Sequence, residues 1–202
     1  MGKGLLIVVS GPSGAGKGTI CKKLKETIDI ELSVSMTTRQ PRPGEVEGKS
    51  YYFVTEKEFR HMAENDGFLE HAYVYGNHYG TPKDLVMGKL KEGRDVVLEI
   101  DIQGALKIKE VYPKGIFIFI LPPSMSELRK RITGRGSETE EAINVRLGET
   151  LKEVSYIDKY DYCVVNGELD EAVSRVVAII KAEHSRVSES IYKLIERYKE
   201  EI

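Results

Sequence analysis

Seven consecutive residues near the start of the chain, Gly11, Pro12, Ser13, Gly14, Ala15, Gly16 and Lys17, carry the Gly-x-x-x-x-Gly-Lys spacing of a phosphate-binding loop. They follow an apolar run at 5–9 and open a helical pattern, which is the context that loop requires. Its glycines let successive backbone N–H groups turn inward on phosphate oxygens, the helix N-terminus adds partial positive charge, and Lys17 supplies a full one. Gly18 stands where the pattern has Ser or Thr, and a hydroxyl arrives one residue later at Thr19. Residue 18 therefore cannot ligate a metal. Thr19 is left to bond a phosphate or a metal-bound water.

Residues 96–101, Val-Val-Leu-Glu-Ile-Asp, form an apolar strand ending in acid, of the kind that accompanies such a loop and faces its metal. Asp101, with Glu99 beside it, is the candidate here, so Mg2+ arriving with ATP would be held indirectly, through Thr19 and Asp101. A second phosphate site is suggested by Arg39 and Arg42, three residues apart in a segment that Pro41 and Pro43 make stiff and non-helical. Guanidinium forks match phosphate oxygens bidentately, and a stiff loop loses little entropy on ordering.

The elements that must position these groups read as α/β. Apolar runs at 5–9, 96–100, 116–121 and 162–165 suit buried strands of a sheet covered on both faces, with helical patterns between them. Ile20, Leu24 and Ile28, and Val173, Val176, Val177 and Ile180, are spaced as core-facing helix stripes. Thr55 with Glu58, Ser124 with Glu127, and Ser137 with Glu140 match the capping box and mark three helix starts, which accounts for those glutamates without catalysis. Residues 33–82 differ in texture, rich in Tyr, Arg, Gly and Pro. They predict an inserted substrate lobe with a strand at 51–54, a helix at 56–65, a turn at 76–80 and a helix after Pro82. A second excursion, 124–146, carries Arg129, Arg131, Arg135 and Arg146. Residues 185–202 predict a charged helix.

Thirty basic against thirty-two acidic residues leave a net charge of −2, so nothing argues for nucleic acid or anionic lipid, and any phosphate site must be local. Cys21 and Cys163 belong to no metal-binding spacing and read as two small core hydrophobes in a reducing setting. The first apolar run is too short for a signal peptide, and no stretch approaches the ~20 apolar residues of a membrane span. A cytoplasmic location is expected.

The run 33–51, with Val-Ser-Met-Thr-Thr-Arg-Gln-Pro-Arg-Pro-Gly-Glu-Val-Glu-Gly inside it, resembles the signature of guanylate kinases. Further matches are Phe68-Leu69-Glu70, residues 76–81, Ile100-Asp101-Ile102-Gln103-Gly104, residues 119–124, Gly134-Arg135-Gly136 and Val164-Val165-Asn166, in family order and at family spacing. The resemblance covers about 3–183 and implies a three-layer P-loop fold with a parallel central sheet (1–32, 83–123 and 147–202), a small mixed α/β GMP-binding lobe (33–82) and a lid (124–146). It implies that Arg39, Arg42, Tyr51 and Tyr79 hold the GMP phosphate, that Ser35, Glu70, Thr81 and Asp101 surround the guanine with Gly80 also in the GMP site, that Arg131, Arg135 and Arg146 close over the transferred group, and that Asn166 lies near the adenine of ATP. It leaves dGMP open as a second acceptor and does not speak to oligomeric state. Two departures touch the metal: Glu99 where many members have Asp, and Gly18 in place of Ser.

The chemistry is consistent with these roles. Guanine offers two donors, N1–H and the exocyclic amine, beside the acceptor O6; a carboxylate accepts from the former and hydroxyls donate to the latter. The nucleophile would be an ionised phosphate oxygen, so no general base is needed, and His61, His71, His78 and His184 form no triad with a serine. Two other readings stay open: a noncatalytic guanylate-kinase-like interaction module, against which Lys17 argues, and a kinase for another nucleoside monophosphate, against which Glu70 and Ser35 argue.

Overall fold

The computed structural model describes residues 4–74, 76–133, 140–187 and 189–201. Along the chain run β1 (Leu6–Ser10), α1 (Lys17–Thr27), β2 (Glu31–Leu32), β3 (Met36–Thr37), β4 (Tyr52–Phe53), α2 (Glu56–Glu64), β5 (Phe68–Val74), β6 (Asn77–Pro82), α3 (Lys83–Lys91), β7 (Val96–Glu99), α4 (Ile102–Val111), β8 (Ile116–Leu121), α5 (Met125–Thr133), α6 (Glu140–Val154), β9 (Tyr162–Val165), α7 (Leu169–His184) and α8 (Glu189–Glu200).

Five strands form one parallel sheet in the order β2-β7-β1-β8-β9. Its central strand is wholly buried, because side chains alternate between two covered faces. Ile7 and Val9 meet Ile20 and Leu24 of α1 and Val173, Val176 and Ile180 of α7 on one side. Leu6 and Val8 meet Val86 and Leu90 of α3 and Ala105 and Ile108 of α4 on the other. Three layers result, as expected, and the carboxyl ends of β1 and β7 open on the N-termini of α1 and α4.

A second sheet, β4-β3-β6-β5, lies within residues 36–82. Here the sequence reading needs correction. Residues 77–80 are not a turn but most of β6, which pairs antiparallel with β5 in the register Glu70↔Thr81 and Tyr73↔His78. Gly76, just before it, takes a φ of 80°. Asn77 and Gly80 have weak strand preference, and pairing with β5 on one side and β3 on the other overrides it. At two residues, β2 is too short to show a pattern in the sequence.

Two further expectations change. Cys163 is exposed, whereas Cys21 is buried. The strand β9 is an edge, and only Val164 is fully buried in it, so alternate residues Cys163 and Val165 look outward. At Thr55 the capping box is complete, Thr55 Oγ1 accepting from the Glu58 N–H and Glu58 Oε2 accepting from the Thr55 N–H at 2.8 Å. At Ser124 it is half formed: Ser124 Oγ accepts from the Glu127 N–H at 3.1 Å, but the Glu127 carboxylate takes a bond from Arg131 Nε instead. The pair Ser137 and Glu140 falls partly outside the described residues.

Candidate active site

The phosphate loop, 11–17, leaves β1 and enters α1 with Gly16 at the N-cap, at φ 91° and with no side-chain cap, so the first N–H groups of the helix have no partner of their own. A Cβ at residue 16 would stand 2.3 Å from Asn166 Nδ2, and together with the left-handed φ this demands glycine. Asn166 is buried and donates from Nδ2 to the Ala15 carbonyl at 2.8 Å. Arg131 spans the same corner, donating to the Asn166 carbonyl at 3.1 Å and to the Ala15 carbonyl at 3.5 Å. Both residues thus stiffen the loop from behind.

Lys17 folds across its own loop, Nζ donating to the Gly11 carbonyl at 2.5 Å and the Pro12 carbonyl at 3.1 Å. Burial pushes the Lys17 ammonium below its ordinary pKa, and Glu99, then Glu153 and Asp101, push it back up. Glu99 ends β7 beside Val9 of β1, and solvent reaches it in the cleft. Protein nevertheless surrounds it on most sides, so burial raises its carboxyl while Lys17 opposes the rise. Thr19 is exposed on the first turn of α1. Sequence reasoning missed Glu153. It returns on α6 to lie near Lys17, accepting from the Ser13 N–H, and no local pattern marks it.

On the acceptor side, Arg39 donates through one amino group to both Glu45 oxygens, at 2.8 and 3.0 Å, and stands 5.4 Å from the Tyr51 ring centroid. The Glu45 hydrogen bond is the chief reason that the guanidinium pKa rises, with the Tyr79 hydroxyl adding to it, and the same bond lowers the Glu45 carboxyl. Tyr79 meets Tyr51 edge-on at 6.0 Å. Arg42 has an exposed side chain, and its backbone N–H donates to Glu45 Oε2 at 2.7 Å. Glu45, which the sequence reading passed over, therefore organises both members of the arginine pair.

Next to this lies a buried polar pair. Glu70 is 8% exposed and Thr81 0%, and Thr81 Oγ1 donates to Glu70 Oε1 at 2.8 Å. Burial pushes the Glu70 carboxyl up to about 7, with Asp101 adding to the rise and Thr81 and Lys107 opposing it. Asp101 caps α4, Oδ1 accepting from the Gly104 N–H at 2.7 Å. The resemblance includes Gly104 and implies no role for it. A Cβ there would sit 3.0 Å from Glu70 Oε2 and 3.5 Å from Asp101 Oδ1, so its bareness lets the two acids converge. Ser35 is half-buried ahead of β3, and no hydrogen bond joins its side chain to this pair. Gly80 serves packing, since a Cβ would press on the Phe68 ring at 2.8 Å, within the Phe59–Phe68 stack.

The structure thus brings the phosphate loop, Lys17, Glu99 and Asp101 together, and places Glu70 and Thr81 within reach of the same Asp101. Arg135 lies outside the described residues and Arg146 outside the described side chains. Among the described residues, no cluster of three or more His, Cys, Asp or Glu could hold a metal ion, and no helix is long and apolar enough to cross a membrane.

Comparison with known proteins agrees with this geometry. The family model for guanylate kinase matches residues 3–183. Guanylate kinase from Clostridium acetobutylicum is 60% identical over 92% of this chain and 88% of its own. That from Caldanaerobacter subterraneus subsp. tengcongensis is 61% identical over 92% and 90%. The crystal structure of guanylate kinase from Anaplasma phagocytophilum superposes with a TM-score of 0.82 at 36% identity, over 98% of this chain and 96% of that one. A P-loop ahead of an acid-tipped strand, a buried Glu–Thr pair and full-length similarity of this depth converge on one conclusion: the chain belongs to the guanylate kinase family.

Proposed function

We propose that the chain binds ATP at the phosphate loop and GMP between β5, β6 and the Arg39 segment, and moves the terminal phosphoryl group from ATP to GMP, giving ADP and GDP. The buried Glu70–Thr81 pair carries the choice of acceptor. An ionised Glu70 accepts from guanine N1–H and the exocyclic amine. Because the Thr81 proton is committed to Glu70, Ser35 is the hydroxyl left to donate to O6. Adenine would set N1, an acceptor, against the buried carboxylate, and such mismatches discriminate by several orders of magnitude. Arg39, held by Glu45, binds the GMP phosphate with Arg42, Tyr51 and Tyr79. Residues 33–82 serve as the acceptor lobe.

In the reaction, a GMP phosphate oxygen, already ionised, forms its bond to the γ-phosphorus as the bond from that phosphorus to the β–γ bridging oxygen breaks, and the charge released stays on ADP. No proton has to move. Lys17 exchanges the Gly11 and Pro12 carbonyls for the terminal phosphates, and Arg131, Arg135 and Arg146 of the lid, 124–146, add cationic charge around the transferring group. Asn166 holds the loop at the side where the adenine of ATP would lie. The donor set fits Mg2+: Glu99 and Asp101 would present carboxylate oxygens, the ligands a hard cation takes, at the mouth of the loop. Mg2+ supplies charge neutralisation on the β- and γ-phosphates when bound.

A coupled assay of ADP formation against GMP, dGMP, AMP, CMP and UMP tests this reading. Turnover confined to guanine acceptors supports it. Equal use of AMP would remove Glu70 from its role, and silence with every acceptor would favour a binding module.

A further inference from the structure

The residue after the P-loop lysine ordinarily brings a hydroxyl to the metal, and here it is Gly18. Thr19 does not repair the loss. One residue along an α-helix turns the side chain by roughly 100°, so a hydroxyl at 19 leaves the helix in another direction from one at 18. What faces residue 18 is an acid. A Cβ built on Gly18 would stand 3.2 Å from Glu99 Oε1 and 3.4 Å from Glu99 Oε2, closer than ordinary van der Waals contact. The Glu99 carboxylate thus lies where the side chain of residue 18 would begin.

Its placement is built into the fold. Parallel pairing of β1 with β7 sets Glu99 beside Val9, one residue before Ser10 and the loop. Glu is one methylene longer than Asp, and that length carries the carboxylate from the strand end across to the first turn of α1. Lys17, whose ammonium lies within electrostatic reach, partly offsets its negative charge.

We propose that Gly18 and Glu99 form a reciprocal pair, in which glycine vacates the hydroxyl position and Glu99 fills it from the neighbouring strand, holding the metal-bound water that a hydroxyl at 18 would otherwise hold. The missing P-loop hydroxyl is then compensated, and the two departures from the usual pattern are one feature. The proposal rests on the reading that Mg2+ accompanies ATP.

The test separates the two. Binding of β,γ-imido ATP is measured by calorimetry with excess EDTA and with Mg2+, and Mn2+ uptake by the same complex is followed from the free-ion electron paramagnetic resonance signal. The metal-dependent gain in affinity is the readout, with melting temperature as the folding control. Glu99→Gln, which keeps shape, should lose about tenfold or more of that gain, and the loss should appear as weaker binding in Mg2+ rather than as tighter binding in EDTA. Gly18→Ser, whose new side chain meets Glu99, and Glu99→Asp, too short to reach residue 18, should each lose it as well, and the two combined should regain most of it, a non-additivity that independent sites would not show. Unchanged gain in the single variants, or simple addition of losses in the double variant, overturns the pair. No metal-dependent gain in the unaltered protein overturns the Mg2+ reading itself, and the pair with it.

Discussion

Thr81 Oγ1 donates to Glu70 Oε1 across 2.8 Å, with both side chains buried where β5 and β6 meet the N-terminus of α4. The bond aims one carboxylate oxygen and leaves the other, Oε2, over Gly104. A carboxylate so enclosed is costly to ionise without a partner, and the guanine edge supplies one.

Glu70→Gln should therefore separate recognition from folding. It removes an acceptor and adds a donor, so kcat/KM for GMP falls about 10²-fold or more while the KM for ATP stays within about threefold. Steady-state kinetics with each substrate varied decide it; parallel losses for both substrates would sink the guanine assignment.

The same variant should be more stable than the unaltered protein in alkaline solution. Glu70 titrates near 7 when folded against an ordinary 4.5. Below the lower value both states hold the proton and the acid costs nothing; between the two the unfolded chain releases a proton that the folded one keeps, and stability falls until the folded group ionises. Glu70→Gln escapes that loss, a gain of about 1–3 kcal/mol at pH 8 that closes toward pH 4.5. Urea midpoints at the two pH values check it.

Activity should run the other way. Because the ionised form accepts from guanine, kcat/KM for GMP should rise as pH passes through about 7, the folded Glu70 value. Phosphate ionisation contributes its own step near a pKa of about 6. Glu70→Gln isolates that lower step, and an unaltered upper inflection in the variant would assign it elsewhere.

Glu45 holds Arg39 through a two-oxygen contact. Releasing it with Glu45→Ala should raise the KM for GMP about five- to tenfold and lower kcat less, the mark of a positioning residue, whereas Arg39→Met removes the guanidinium and should lower kcat/KM by about 10²-fold. Equal kcat losses in the two would place Glu45 in the chemistry itself.

Asn166→Ala takes away the buried bond to the Ala15 carbonyl that backs the loop. Loss of about 1–3 kcal/mol of stability and a raised KM for ATP, with GMP binding by calorimetry little changed, are expected. Thr55→Ala, by contrast, should cost about 1 kcal/mol through the lost cap of α2 and leave kcat unaltered.

The phosphate loop and the core strands were legible because each is written in neighbouring residues. A glycine-rich turn between an apolar run and a helix needs only local chain geometry, and a strand buried on both faces shows itself as unbroken apolar sequence. The resemblance, through its matches at 68–70, 76–81 and 100–104, went further and named Glu70, Thr81 and Asp101. Their mutual bonds were beyond it, as were Glu45 beneath Arg39, Glu153 at Ser13 and the exposure of Cys163. Those depend on the register of β5 on β6, on α4 docking with Gly104 bare, on how the segment after β3 folds back on Arg39, on the return of α6 to the phosphate loop, and on which strand forms the edge. Pairing and docking are settled by the free energy of the whole packed chain, and they join residues 11 positions apart, as Glu70 and Thr81, or 151, as Asn166 and Ala15.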